Sequence, residues 1–244
     1  MIKLLKNAAI LLVMCLLVCC SIATPVTAGL PRLYTVHDIE YWVSPAGSDS
    51  NPGTESEPFL TIGHVISMIP ELVRNDVFIW LDEGDWDETL DLQGRLCLAK
   101  LTIRGTTTDS LNHTINNLVL KDCIGWVEFD YIQFDTITTD ALFISRCEPR
   151  VKLEYIIAVG ECNYNGLQVV DHAVVACNSC VWSNKNIAIF ANNMGQIHSN
   201  NSSGIGNYIG LKAAQGGLIT KNSSQQPEAQ IPEIKITGGS INWN

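Results

Sequence analysis

An all-β parallel β-helix, in which short strands coil and stack turn upon turn, is the fold this sequence predicts, and three observations carry the prediction. Leu118, Leu120, Cys123, Val127, Phe129 and Ile132 return together 24 residues on as Leu142, Ile144, Cys147, Val151, Leu153 and Ile156. After a step of 25 to Leu167, the period tightens to 22, giving the columns Leu167/Ile189/Leu211, Val169/Ala191/Ala213, Ala173/Gly195/Gly217, Val175/Ile197/Ile219 and Asn178/Asn200/Asn222. Within each unit the apolar residues lie two apart, as in Leu118-Val119-Leu120 and Val127-Glu128-Phe129, with Gly, Asn and Asp between units. Two is the strand period, and a unit this short buries its inner face only when neighbours stack on it. Strands of three to five residues are expected.

The chain opens with Lys3 and Lys6, an uncharged apolar run from Ala8 to Ala23, and Val26-Thr27-Ala28 before Gly29. That layout is a secretory signal peptide over 1–28, cleaved near Ala28, which makes the protein secreted or displayed at the cell surface; an uncleaved anchor is the alternative. Cleavage leaves 13 Lys and Arg against 25 Asp and Glu. An acidic surface without a basic run argues against nucleic acid as a partner.

Residues 29–76 form an N-terminal unit. Positions 34–43 read as a strand and 44–54 as a polar loop. Ile62, Val65, Ile66 and Ile69 then mark a short helix, with Thr61 as N-cap and Pro70 near its end. A one-sided helix there would cap the first coil and cover strand edges that otherwise pair with other chains.

Residues 77–244 hold the coils. Val77 to Leu81 and Thr89 to Leu92 begin them, with Glu83-Gly84-Asp85 as the turn between. Leu101 and Ile103 precede Val127 and Phe129 by 26 residues, and Thr106 to Asn117 reads as a protrusion. Ile234 and Ile236 suit a last short strand. No amphipathic cap follows it, so a homotrimer or other partner through the uncapped C-terminal end is one expectation.

Six cysteines remain after cleavage: Cys97, Cys123, Cys147, Cys162, Cys177 and Cys180. Cys123 and Cys147 hold the same position in successive coils, which favours buried thiols acting as small apolar residues over a bridge. Cys177 and Cys180 have metal-ligand spacing but lack a second ligand pair for zinc.

The segments Tyr41-Trp42-Val43-Ser44-Pro45-Ala46-Gly47-Ser48-Asp49-Ser50-Asn51-Pro52-Gly53-Thr54, Glu57-Pro58-Phe59-Leu60-Thr61-Ile62 and Leu81-Asp82-Glu83-Gly84-Asp85-Trp86-Asp87-Glu88-Thr89 resemble the opening of right-handed, single-stranded parallel β-helix proteins of the pectate-lyase-like superfamily. Some secreted polysaccharide lyases and phage tail proteins begin this way. The resemblance implies a polysaccharide partner. It carries over no catalytic residue, because the family's catalytic positions do not map onto this chain.

Catalytic sites on a stack of strands are built from outward side chains of adjacent coils. With Val127 and Phe129 inward, two outward columns emerge: Thr102/Glu128/Lys152 and Arg104/Asp130/Glu154. Asp130 and Glu154 beside Arg104 can be read as a lyase constellation with Ca²⁺, or as a glycosidase pair. The competing reading is a solvated face of mixed charge, in which Arg104 keeps Asp130 ionised. Asp171 and His172 sit in a turn without facing each other. His198 and His64 stand out no further. Asp49, Asn51 and Glu55 suit either Ca²⁺ or, more simply, a turn. The Asn178/Asn200/Asn222 column suggests a stabilising amide ladder. Among the tryptophans, Trp86 and Trp182 are expected to be exposed and most of the others buried.

The expected function is an exported protein that binds, or presents a surface to, extracellular polysaccharide without a convincing catalytic set. The alternatives are a polysaccharide lyase or glycosidase acting on an acidic glycan, and a phage-tail-derived or adhesin-like stalk.

Overall fold

The computed structural model describes residues 33–160, 163–223 and 226–243; the segment expected to be a signal peptide and Cys162 lie outside them. The described chain is an all-β parallel solenoid of about seven turns. One sheet runs through Ile39–Val43, Val77–Leu81, Leu96–Gly105, Ile124–Asp130, Glu148–Glu154, Val174–Asn178, Gln196–Asn200, Leu218–Lys221 and Ser240–Trp243, each strand parallel to the next. The second runs through Gly84–Gln93, His113–Lys121, Leu142–Ser145, Asn165–Val170, Ile187–Ala191, Asn207–Ala214 and Ala229–Ile236. The strand His113–Lys121 is shared. Its end pairs with Leu142–Ser145, and its start opens a short third ladder through Gln133–Asp135, Ile157–Val159 and Val181–Trp182.

The repeat columns become register. Leu167 pairs with Ile189 and Ile189 with Leu211, while Val175, Ile197 and Ile219 follow one another in the first sheet. These side chains are buried in one continuous core with Val127, Phe129, Leu118 and Leu142. Each large aliphatic side chain so buried stabilises the stack by about 1.5–3 kcal/mol relative to exposure. Cys97, Cys123, Cys147, Cys177 and Cys180 are buried free thiols. Burial pushes the Cys97 thiol up to about 12.

Between the two sheets the chain turns at residues in the left-handed region: Asp122, Arg146, Asp171 with His172, Asn193 with Met194, Gln215 and Thr237. Side chains along this corner hold one another. Arg146 binds Asp122 through two nitrogens, the Asp171 carboxylate accepts from Ser145 Oγ at 2.8 Å and Asn193 Nδ2 at 2.5 Å, and Arg146 reaches Asp171 at 3.4 Å. Bonds from Ser145 and Asn193 hold the Asp171 carboxyl below its ordinary value. The corner therefore consumes Asp171 in structure.

A helix spans Ile62–Met68 with Ile62, Val65 and Ile66 buried. Its first turn is well supplied with acceptors: Thr61 Oγ1 takes the His64 N–H at 3.2 Å, and the Glu88 carboxylate takes those of Ile62 and Gly63. Asp49 accepts from the Leu60 and Thr61 N–H groups and the Thr61 hydroxyl, so it serves the turn that feeds the helix.

Four expectations are corrected. The stretch from Thr106 to Asn117 protrudes only in part, because His113 to Asn117 belong to a sheet strand. Gly84 and Asp85 start a ten-residue strand rather than a turn, and Leu96–Gly105 is equally long, each with a register shift along its length. Trp86 and Trp182 are 5% and 0% exposed, whereas Trp126 and Trp243 are 56% and 61% exposed: the first two point into the stack and the others out of the first sheet. Finally, Asn178 and Asn200 share a register position, yet no hydrogen bond joins the side chains of the Asn178/Asn200/Asn222 column among the described residues.

Candidate functional site on the first sheet

The outward side chains of the first sheet are sharply divided along the stack. In the coils from Val77 to Tyr155 they are aromatic or charged: Phe78 and Trp80, Lys100 and Arg104, Trp126, Glu128 and Asp130, then Arg150, Lys152 and Glu154. The same columns continue as Val174, Ala176 and Asn178, then Gln196, His198 and Asn200. Chemistry is concentrated in the first half.

Register aligns Arg104, Asp130 and Glu154 as consecutive members of one column, with Trp42 and Trp80 before them. Arg104 Nε lies 3.6 Å from Asp130 Oδ2. Its guanidinium is flanked by the rings of Trp80, 5.7 Å away, and Tyr131, 5.3 Å away. Trp42 stacks on Trp80 at 5.5 Å, and Tyr131 lies face to face with Tyr155 at 4.7 Å and 4°. One edge of the face is thus an aromatic ladder with a cation inserted.

The neighbouring column is ion-paired. Lys152 Nζ donates to Glu128 at 2.6 Å and also to Glu154, while Lys100 stands 3.4 Å from Glu128. Burial alone would raise the Glu128 carboxyl, but Lys152 and Lys100 outweigh it and hold the group below its ordinary value. Asp130 differs. It is 7% exposed, and burial, with Glu154 and Glu128 nearby, outweighs Arg104 and lifts it to about 6. The expectation that Arg104 keeps Asp130 ionised rather than poised as an acid is therefore corrected: Arg104 at 3.6 Å, even with Lys152 nearby, does not offset dehydration and two carboxylates. Asp130 Oδ1 and Thr102 Oγ1 are buried without hydrogen-bond partners.

Beside this cluster a groove of about 480 Å³ is lined by Gly125, Trp126, Pro149, Arg150 and Lys152. Arg150 pairs in register with Trp126. Both side chains are exposed, and no partner for the Arg150 guanidinium occurs among the described residues. Gly125, with φ +116°, lets the strand pass close to the Cys97 carbonyl and aims Trp126 outward.

Of the other candidates, Asp171 and His172 both adopt left-handed backbone in the corner, and His64 packs on Phe59 at 4.8 Å. Among the described residues no group of three or more His, Cys, Asp and Glu side chains is arranged to hold a metal. The sequence expectations do not include Arg150 and Trp126 as a pair, although their spacing of 24 is the same repeat that aligns Asp130 with Glu154. Comparison of the chain with protein-family models, curated proteins and solved structures finds no match.

Proposed function

We propose that this is an exported, right-handed β-helix protein of the pectate-lyase-like kind, and that the first sheet binds extracellular polysaccharide. The observation that carries this reading is the half-exposed Trp126 ring beside the unpaired Arg150 guanidinium in an open groove. An indole offers an apolar platform to a sugar ring, and a guanidinium offers a fork of donors to its oxygens. The helix Ile62–Met68 fits an N-terminal cap in this scheme. Lys152 pairs with Glu128 and Glu154, so a Ca²⁺ ion at these carboxylates would have to displace its ammonium.

The test is binding of the full chain to acidic and neutral glycans. Trp126→Ala and Arg150→Ala are each expected to weaken binding about ten-fold, the effect of a contact worth about 1.4 kcal/mol. Binding unaltered in both variants, or none to any glycan, rejects the proposal.

A second reading is favoured by one observation, the raised Asp130 carboxyl, which suits a proton donor to a glycosidic oxygen. It requires new reducing ends or unsaturated products from a glycan, lost in Asp130→Asn. Glycan binding without product restricts the face to recognition.

A further inference from the structure

Three cavities lie side by side along the loops that lead into the second sheet. The largest, about 620 Å³, is lined by Asn184, Lys185, Asn186, Gly206, Tyr208 and Gln230, among others. Gly206 and Gln230 also line the second, of about 350 Å³, and Glu228 joins the second to a third of about 430 Å³. Together they make one trench across several coils. It shares no lining residue with the groove at Trp126.

One register column runs past the trench. Tyr164, Asn186, Tyr208 and Gln230 each stand one residue before the paired positions Asn165, Ile187, Ile209 and Ile231. The column therefore alternates aromatic and amide at steps of one coil, about 4.8 Å. Tyr164 and Tyr208 are both exposed. The side-chain amides of Asn184, Asn186 and Gln230 make no hydrogen bond to described residues. Gly204 and Gly206, at φ +136° and +74°, let the chain pass close to the preceding coil at the trench: a Cβ on the first would fall 1.8 Å from the Trp182 carbonyl oxygen, and on the second 2.2 Å from Asn184 Oδ1.

Charge narrows the ligand. Lys185 is buried, and its ammonium is taken up by the carbonyl oxygens of Thr136, Val159 and Gly160. Glu228 lines the junction of the second and third cavities, where it repels an anionic chain. What remains among the described lining residues is a row of amides, each able to donate and accept toward vicinal hydroxyls, beside the exposed Tyr208 ring.

We propose that this trench is a second glycan-binding site, selective for a neutral, extended polysaccharide and independent of the first sheet. The protein then holds two sugar chains on different faces.

The test is calorimetric titration of the full chain with neutral gluco-, manno- and xylo-oligosaccharides. Tyr208→Ala is expected to weaken neutral-glycan binding at least ten-fold, and Asn184→Ala/Gln230→Ala several-fold, while the amide variant binds an acidic glycan as the parent does. The amide variant replaces exposed side chains, so it reports on the trench even where the tyrosine variant folds poorly. The proposal is overturned by absence of binding to every neutral oligosaccharide, by binding that survives the amide variant unchanged, or by an equal loss of acidic-glycan binding in the amide variant. The last result would assign both glycans to one site.

Discussion

Asn207 Oδ1 accepts the Lys185 backbone N–H at 3.1 Å, one coil back, and the same amide donates to the carbonyl oxygens of Trp182 at 2.8 Å and Glu228 at 3.0 Å. A single side chain thus stitches three successive coils. Asn207 is buried, so its removal strands one N–H and two carbonyls away from water. Asn207→Ala is expected to cost about 3 kcal/mol in chemical denaturation. A loss below about 1 kcal/mol would show that water replaces the amide.

Asn200 provides the contrast. It is exposed and its side chain bonds to no described residue, despite its place in a column of three asparagines. Asn200→Ala is expected to stay within about 0.5 kcal/mol of the parent in the same measurement. A larger loss would restore the amide ladder suggested by the spacing.

Gly125 is the tightest point of the first sheet. At φ +116°, an added Cβ would lie 1.8 Å from the Cys97 carbonyl oxygen. Gly125→Ala should destabilise the protein by roughly 3 kcal/mol, combining backbone strain with displacement of the neighbouring strand. Thermal unfolding checks this, and an unchanged midpoint would refute the close approach.

His113 and Asp130 oppose one another as pH falls. Burial leaves both ring nitrogens of His113 without a partner and lowers its pKa below 6.5, so the stability that rests on its neutral form is full above 6.5 and is lost below it. Asp130, raised from 3.8 to about 6, does the reverse: its buried charge destabilises the fold above 6, and stability is regained as pH falls from 6 toward 3.8. Asp140, also raised by burial, acts in the same direction as Asp130. Asp130→Asn should stabilise the protein by about 2 kcal/mol at pH 7.5 and unmask a decline below pH 6.5. His113→Leu should leave a rise instead. Parallel pH profiles for the two variants would contradict these environments.

Much of the stack was readable because register in a coil is counted in whole residues. Leu167, Ile189 and Leu211 were aligned by spacing and are aligned in the sheet, and so are Arg104, Asp130 and Glu154. Spacing says which residues are neighbours. It says nothing of how deeply an outward side chain sinks beneath longer ones, which is why spacing alone gives Asp130 a solvated place although it is buried beside Arg104, Glu128 and Glu154. Trp86 and Trp182 were misjudged for a related reason: both lie where strand boundaries drift, near the shift between Trp86 and Thr89 and in the two-residue strand at Val181, so parity could not be counted. The left-handed corners fall on Asp122, Arg146, Tyr131, Tyr155 and Gln215 as readily as on glycine, and residues so varied leave no compositional mark.

The uniform step of 22 residues from Asn165 through Ile187 to Ile209 carries a last consequence. Because each of these turns meets its neighbours through the same register, a whole turn can be duplicated or excised in this half and the flanking strands still find complementary partners. The neutral trench is therefore an adjustable ruler, extendable in increments of about 4.8 Å, while the irregular turns that carry Trp126 and Arg150 stay fixed in length.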